Sequence, residues 1–168
     1  MLHWYIKNIG ALNEWFGKLA GWLCSILVLL ICADVLAKSV FNYSNVAIFE
    51  AEWHIFSLVF LLGAAYTLKH DRHVRVDLFY SKMSKKGKAW IDLIGVLVFL
   101  LPFSILVIDK SLLYTKTSFL MHESSPDPGG LPARFVLKGL IIVSFVLLIL
   151  QGISMAFEAL LLILKKQE

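Results

Sequence analysis

Four long apolar runs, at about 19–41, 50–68, 89–109 and 135–164, frame the chain, and each approaches or exceeds the roughly 20 residues a helix needs to cross a bilayer. Ahead of the first run, Tyr5, Ile9, Leu12, Phe16 and Leu19 recur in 4-3-4-3 steps, while Lys7, Asn13, Glu14 and Lys18 fall elsewhere. That spacing predicts an amphipathic helix over 3–20, lying in the membrane interface with Trp4 and Trp15 as anchors. The expected architecture is an all-α integral membrane protein: a single membrane domain over 1–168 with four transmembrane helices preceded by an interfacial helix.

Polar positions inside the runs refine this picture. Asp34 and Lys38 stand four residues apart near the end of the first span, where they can pair and reach the interface. Glu50 and Glu52 open the second span. Along it, Glu50, Trp53, Ser57, Phe60, Ala64 and Thr67 share one face, expected to pack against protein, and Gly63-Ala64-Ala65 permits close helix approach. Pro102 removes a backbone hydrogen bond inside the third span and predicts a bend there. After Asp109 the chain is expected to leave the membrane until Arg134, with Ser125-Pro126-Asp127-Pro128-Gly129-Gly130-Leu131-Pro132 as an irregular loop. In the last span Ser144, Gln151, Ser154 and Glu158 form a polar seam that needs a partner helix.

Charge orients the model. Lys69–Lys88 is the one long polar interruption and holds seven of the sixteen Lys and Arg residues. With four crossings, eleven Lys and Arg fall on its side (Lys7, Lys18, Lys69, Arg72, Arg75, Lys82, Lys85, Lys86, Lys88, Lys165, Lys166) and five on the other (Lys38, Lys110, Lys116, Arg134, Lys138). The positive-inside bias places both termini in the cytoplasm. A composition of 59% hydrophobic and 17% charged residues exceeds what a small soluble core could hide, so lipid is the surrounding medium. The net charge of +4 is scattered beside apolar runs and forms no basic domain, which argues against nucleic acid as a partner. Val35-Leu36-Ala37 has the look of a signal-peptide cleavage site, but the run is too long and Asp34 interrupts it.

Residues that could carry chemistry are few. Cys24 and Cys32 lie about 12 Å apart along one helix, too far for a disulfide, and read as small apolar residues. Of the histidines only His54 falls within a span, so a two-histidine haem site is not expected. His70, Asp71, His73 and Asp77 could meet in a folded loop, but their spacing matches no metal-ligand pattern. No nucleophile with a positioned base and no phosphate-cradling glycine loop is present, so neither catalysis nor a cofactor is expected. A self-sufficient small transporter would place an ionisable residue near mid-membrane. Here Asp34, Glu50, Asp92, Asp109 and Glu158 all lie towards span ends.

Taken in order, several segments resemble the small membrane (Q-type) subunit of tripartite ATP-independent periplasmic (TRAP) transporters. They are Asp34-Val35 with Lys38 and Phe41-Asn42; the acidic Glu50 to Glu52; Leu62-Gly63-Ala64-Ala65-Tyr66; His73-Val74-Arg75-Val76-Asp77 with its basic tail; Glu123-Ser124; Gly130-Leu131-Pro132; and Gln151. The His-Val-Arg-Val-Asp run after a Gly-Ala-Ala helix is the most specific. Lys38 departs from the resemblance: the family often has Arg there followed by an aromatic, here Ser39, and lysine cannot supply a bidentate contact. The resemblance implies a non-catalytic subunit of a secondary-active transporter in a bacterial or archaeal cytoplasmic membrane. Its partners would be a large multispanning permease, whose static scaffold it braces, and a periplasmic solute-binding protein. Transport would be driven by an ion gradient, usually sodium, and the substrate would be a small organic acid. Asp34, Lys38, Glu50, Glu52, Ala64, His73, Arg75, Asp77, Gln151 and Ser154 are the expected interface or structural positions. A standalone small transporter, or an anchor or assembly subunit of another complex, are the competing classes.

Overall fold

A computed structural model describes residues 2–70 and 83–164, and every regular element in them is helical. The elements are α1 (Leu2–Phe41), α2 (Val46–Lys69), α3 (Lys85–Ile94), a π-helical turn (Gly95–Leu100), α4 (Leu101–Leu120) and α5 (Arg134–Leu164). α3, the π turn and α4 follow one another directly, giving four helical rods, each long and apolar enough to cross a membrane. The four-span, all-α expectation holds.

Local chemistry sets the ends. Asn42 takes the left-handed conformation after α1 (φ 49), which an asparagine tolerates better than most residues. Asn45 then caps α2, its side chain accepting from the Ala47 amide at 2.8 Å. Ser84 caps α3 in the same way through the Gly87 amide at 3.2 Å. Within the third rod Pro102 has no N–H and would crowd the carbonyl four residues back. The chain responds with the preceding π turn, in which the Leu101 amide reaches Val96. The lost hydrogen bond expected at Pro102 is thus absorbed as a π-helical turn over Gly95–Leu100.

Two boundaries differ from the sequence expectation. α1 runs from Leu2 to Phe41 without a break, so the interfacial helix expected at 3–20 is not an element of its own. No proline separates the two parts, and the amphipathic half has helices to pack on: Tyr66 of α2 sits against Gly17, and Gln151 of α5 bonds Asn13. α4 likewise continues past Asp109 to Leu120, because Lys110 and Lys116 are good helix formers on exposed positions.

α5 is the centre of the bundle. It touches α1, α2 and the whole third rod, whereas α1 otherwise packs mainly on α2. One face of α5, with Leu147 and Leu148, meets Ala65 and Leu68 of α2; another, with Ala156 and Ala159, meets Ala89, Leu93 and Val96. The buried positions recur every seven residues, as Asn13, Ala20, Leu27 and Asp34 on α1 and as Ser104, Ser111 and Ser118 on α4. That is the spacing of coiled-coil packing, and small residues at it let backbones approach. A methyl group on Gly63 would stand 3.9 Å from Ala20 Cβ, so the expected close approach at Gly63-Ala64-Ala65 is made.

Candidate functional site

The densest polar cluster lies where α2 begins. Glu50, one turn into the helix, is 2% exposed, and the returning 121–133 segment closes over it. That segment is shaped by its own backbone bonds: Gly130 N–H to Asp127 O at 3.0 Å, Ser125 N–H to Leu131 O and Arg134 N–H to Glu123 O, both at 3.1 Å. Gly129 supplies the positive φ the turn requires (82°). The Glu50 carboxylate then accepts three donors: the Ser125 hydroxyl, the Leu131 amide at 2.5 Å and Arg134 Nη2 at 3.2 Å. A buried charge is tolerable only when paired and hydrogen-bonded, and here both conditions are met from 75 or more residues away in sequence. Gly130 is part of the fit, since a methyl group there would overlap Ser125 and stand 2.8 Å from Glu50 Oε2. The arrangement acts as a clamp, fastening the loop to α2.

Three further ion pairs fasten other places. Asp34, buried, pairs with Lys38 as the i, i+4 spacing predicts. At the opposite end of the bundle Lys69 of α2 reaches Glu14 at 2.7 Å and the Gly10 carbonyl at 2.9 Å, with His70 3.1 Å from Glu14. Glu123 accepts from Lys138 in the loop-to-α5 corner, and that bond holds its carboxyl below the usual glutamate value.

Between these ends the helices are tied by neutral polar groups. Asn13 Nδ2 donates to Gln151 Oε1 at 2.7 Å, the Ser144 hydroxyl to the Leu61 carbonyl at 2.6 Å, and the Tyr5 hydroxyl to the Leu150 carbonyl at 3.2 Å. The seam on α5 therefore finds its partner helices, α1 and α2, inside the same chain. Removing one amide leaves the other buried and unpaired. Gln151→Leu and Asn13→Leu should each cost about 2 kcal/mol, the penalty of an orphaned buried polar group, while the double substitution should cost less than either alone. An SDS-unfolding double-mutant cycle reads this directly; strictly additive costs would show that the two amides are not coupled.

The remaining sequence-predicted positions fall as follows. Ser154 is 1% exposed within the bundle. Ala64 is half-buried at the edge of the α2–α5 contact, whose centre is Ala65. The internal face of α2 runs through Glu50, Leu62, Ala65 and Leu68, leaving Phe60, on the face predicted to pack against protein, exposed. Glu52 does not join Glu50, and its Oε1 is buried without a partner. Asp71, His73, Arg75 and Asp77 lie outside the described residues. Among the described residues no three His, Cys, Asp or Glu side chains come close enough to hold a metal ion. Sequence reasoning missed Asn13, Ser125, Arg134, Gly17 and Gly130 as partners in these contacts. Only Asn13 left a signal, the seven-residue repeat it shares with Ala20, Leu27 and Asp34.

A protein-family model, described as tripartite ATP-independent periplasmic transporters, DctQ component, matches residues 27–162, from mid-α1 to the end of α5. No curated protein and no solved structure matches the chain.

Proposed function

This chain belongs to the family of the DctQ component of tripartite ATP-independent periplasmic transporters, and we propose that it braces the static scaffold of the large multispanning permease subunit. On this reading the large subunit carries the substrate and ion sites, a periplasmic solute-binding protein delivers a small organic acid, and a sodium gradient drives uptake. The membrane is a bacterial or archaeal cytoplasmic membrane, with both termini on the cytoplasmic side. The small subunit performs no catalysis.

The observation that carries this reading is how the buried acids are used. Asp34 is committed to Lys38, and Glu50 to Ser125, Leu131 and Arg134. A transport path needs polar groups that can exchange partners with a solute or ion. Groups spent on fastening helices and a loop suit a brace. Asp34 and Lys38 then secure the end of α1, Gln151 and Ser154 hold α5 within the bundle, and Ala64 and Glu52 border surface left for the partner. His73, Arg75 and Asp77 lie in the sequence between α2 and α3, and reversing the charge of Arg75 or Asp77 should weaken assembly or transport.

Outward faces support the same reading: Trp22, Leu29 and Leu36 of α1 and Phe103, Leu106 and Leu113 of the third rod are largely exposed, as lipid or a large apolar partner requires. Affinity purification of the tagged chain from native membranes tests it. The large permease should copurify in equal amount, and Ala64→Trp should reduce its recovery severalfold by steric overlap. Recovery of the chain with an unrelated complex and without the permease would favour the anchor or assembly class.

A further inference from the structure

On the 121–133 side of the bundle, α2 and α4 diverge around α5 and leave a crevice of about 360 Å³. Its floor is apolar, with Phe56 and Phe60 from α2 and Leu137 and Ile141 from α5. Its mouth is charged and aromatic. Arg134 lies over the Trp53 ring at 5.8 Å, and Lys138 over the Tyr114 ring at 3.8 Å. Tryptophan and tyrosine mark the level of a membrane interface, with cations beside them and apolar floor beneath.

We propose that this crevice binds one phospholipid bearing an amine, of the phosphatidylethanolamine type, with an acyl chain on the Phe60–Ile141 floor and the headgroup at the mouth. Charge complementarity selects that headgroup. Arg134 gives Glu50 and Ser125 only Nη2 and keeps about a quarter of its side chain exposed, leaving guanidinium donors for a phosphate oxygen. Glu123 meets Lys138 through Oε2 and keeps about a third of its side chain exposed, which suits the ammonium. The mouth itself carries Arg134, Lys138 and Glu123, and the buried Glu50 behind Arg134 balances the second cation, so the cluster is neutral as a whole and matches a zwitterion better than an anionic lipid. The volume lies in the range of small-ligand sites, about 300–1,000 Å³, whereas a partner helix about 10 Å across would need a longer and wider trough. Lipid binding here requires only that these helices cross the bilayer, and it is independent of whether the chain braces a permease.

The test is native mass spectrometry of the purified chain after exchange into micelles containing palmitoyl-oleoyl phosphatidylethanolamine or the matching phosphatidylglycerol. Wild type should retain one phosphatidylethanolamine in preference. Ser57→Trp fills the crevice from a position whose hydroxyl bonds only its own helix, to Trp53 O at 2.8 Å. It should lower retention roughly tenfold, the equivalent of about 1.4 kcal/mol, with an unchanged helical circular-dichroism spectrum. Glu123→Gln should shift preference towards phosphatidylglycerol. Equal retention by wild type and Ser57→Trp would overturn the proposal. So would unchanged lipid retention in Ser57→Trp together with lost recovery of the large permease, which would assign the crevice to a protein helix.

Discussion

Gly17→Ala is expected to lower the stability of the bundle by about 3 kcal/mol, the upper range for overpacking a tight contact. The direction is not obvious from helix propensity, since alanine in place of an interior helical glycine normally stabilises by about 1 kcal/mol. Here the added methyl group would overlap Cγ and Cδ2 of Tyr66 and stand 2.7 Å from Cε2. These atoms are at the root of the ring, so the side chain cannot swing clear without leaving the α1–α2 contact. Gly21, one turn further along the same helix, has no atom within 4 Å of where its methyl would be. Gly21→Ala should therefore stabilise by roughly 0.5–1 kcal/mol. SDS-unfolding midpoints that move in opposite directions for the two variants would establish that α1 is seated on α2 along its amphipathic half. Parallel shifts would mean that this half lies free of the bundle.

Gly130→Ala is the second large effect, expected to cost about 3 kcal/mol, because its methyl overlaps Ser125 and crowds Glu50 Oε2 in a place with no slack. Either the loop lifts, breaking the Leu131 amide bond to Glu50, or Ser125 gives up the carboxylate. Both leave a buried charge short of donors. A cysteine introduced at Ser125 of the Gly130→Ala protein should react with a membrane-impermeant maleimide several times faster than the same cysteine beside Gly130. Unchanged reactivity and an unchanged unfolding midpoint would show that Glu50 does not clamp this loop. Gly129→Ala provides a contrast, since it strains a positive φ of 82° in open space and leaves the clamp unobstructed.

How far the sequence could be read follows from the range of each signal. The four spans were legible because twenty apolar residues in a row have one common explanation, and the Asp34–Lys38 pair because i, i+4 contact is a local property of a helix. The seam of Ser144, Gln151 and Ser154 was visible as polar residues on one face, yet its partners were not. Asn13 lies on another helix, and no local rule joins 13 to 151. The Glu50 cluster failed for the same reason: its donors come from a loop read only as irregular, and the fit of Gly130 depends on a side chain contributed by α2. On α2 the side buried within the chain centres on Ala65, next to the Ala64 face read from the sequence, because a helix apolar all round gives its buried side little contrast. The first boundary failed because amphipathicity predicts an interface without saying whether lipid or α2 and α5 provide it.

The most direct measurement is uptake of a panel of radiolabelled small organic acids into proteoliposomes under an inward sodium gradient. The purified chain is tested alone, and then with its large permease and solute-binding protein. A bracing subunit predicts no uptake above empty vesicles for the chain alone. Accumulation should require the full set and fall when this chain is omitted. Sodium-dependent accumulation by the chain alone would contradict the account and make it a transporter in its own right.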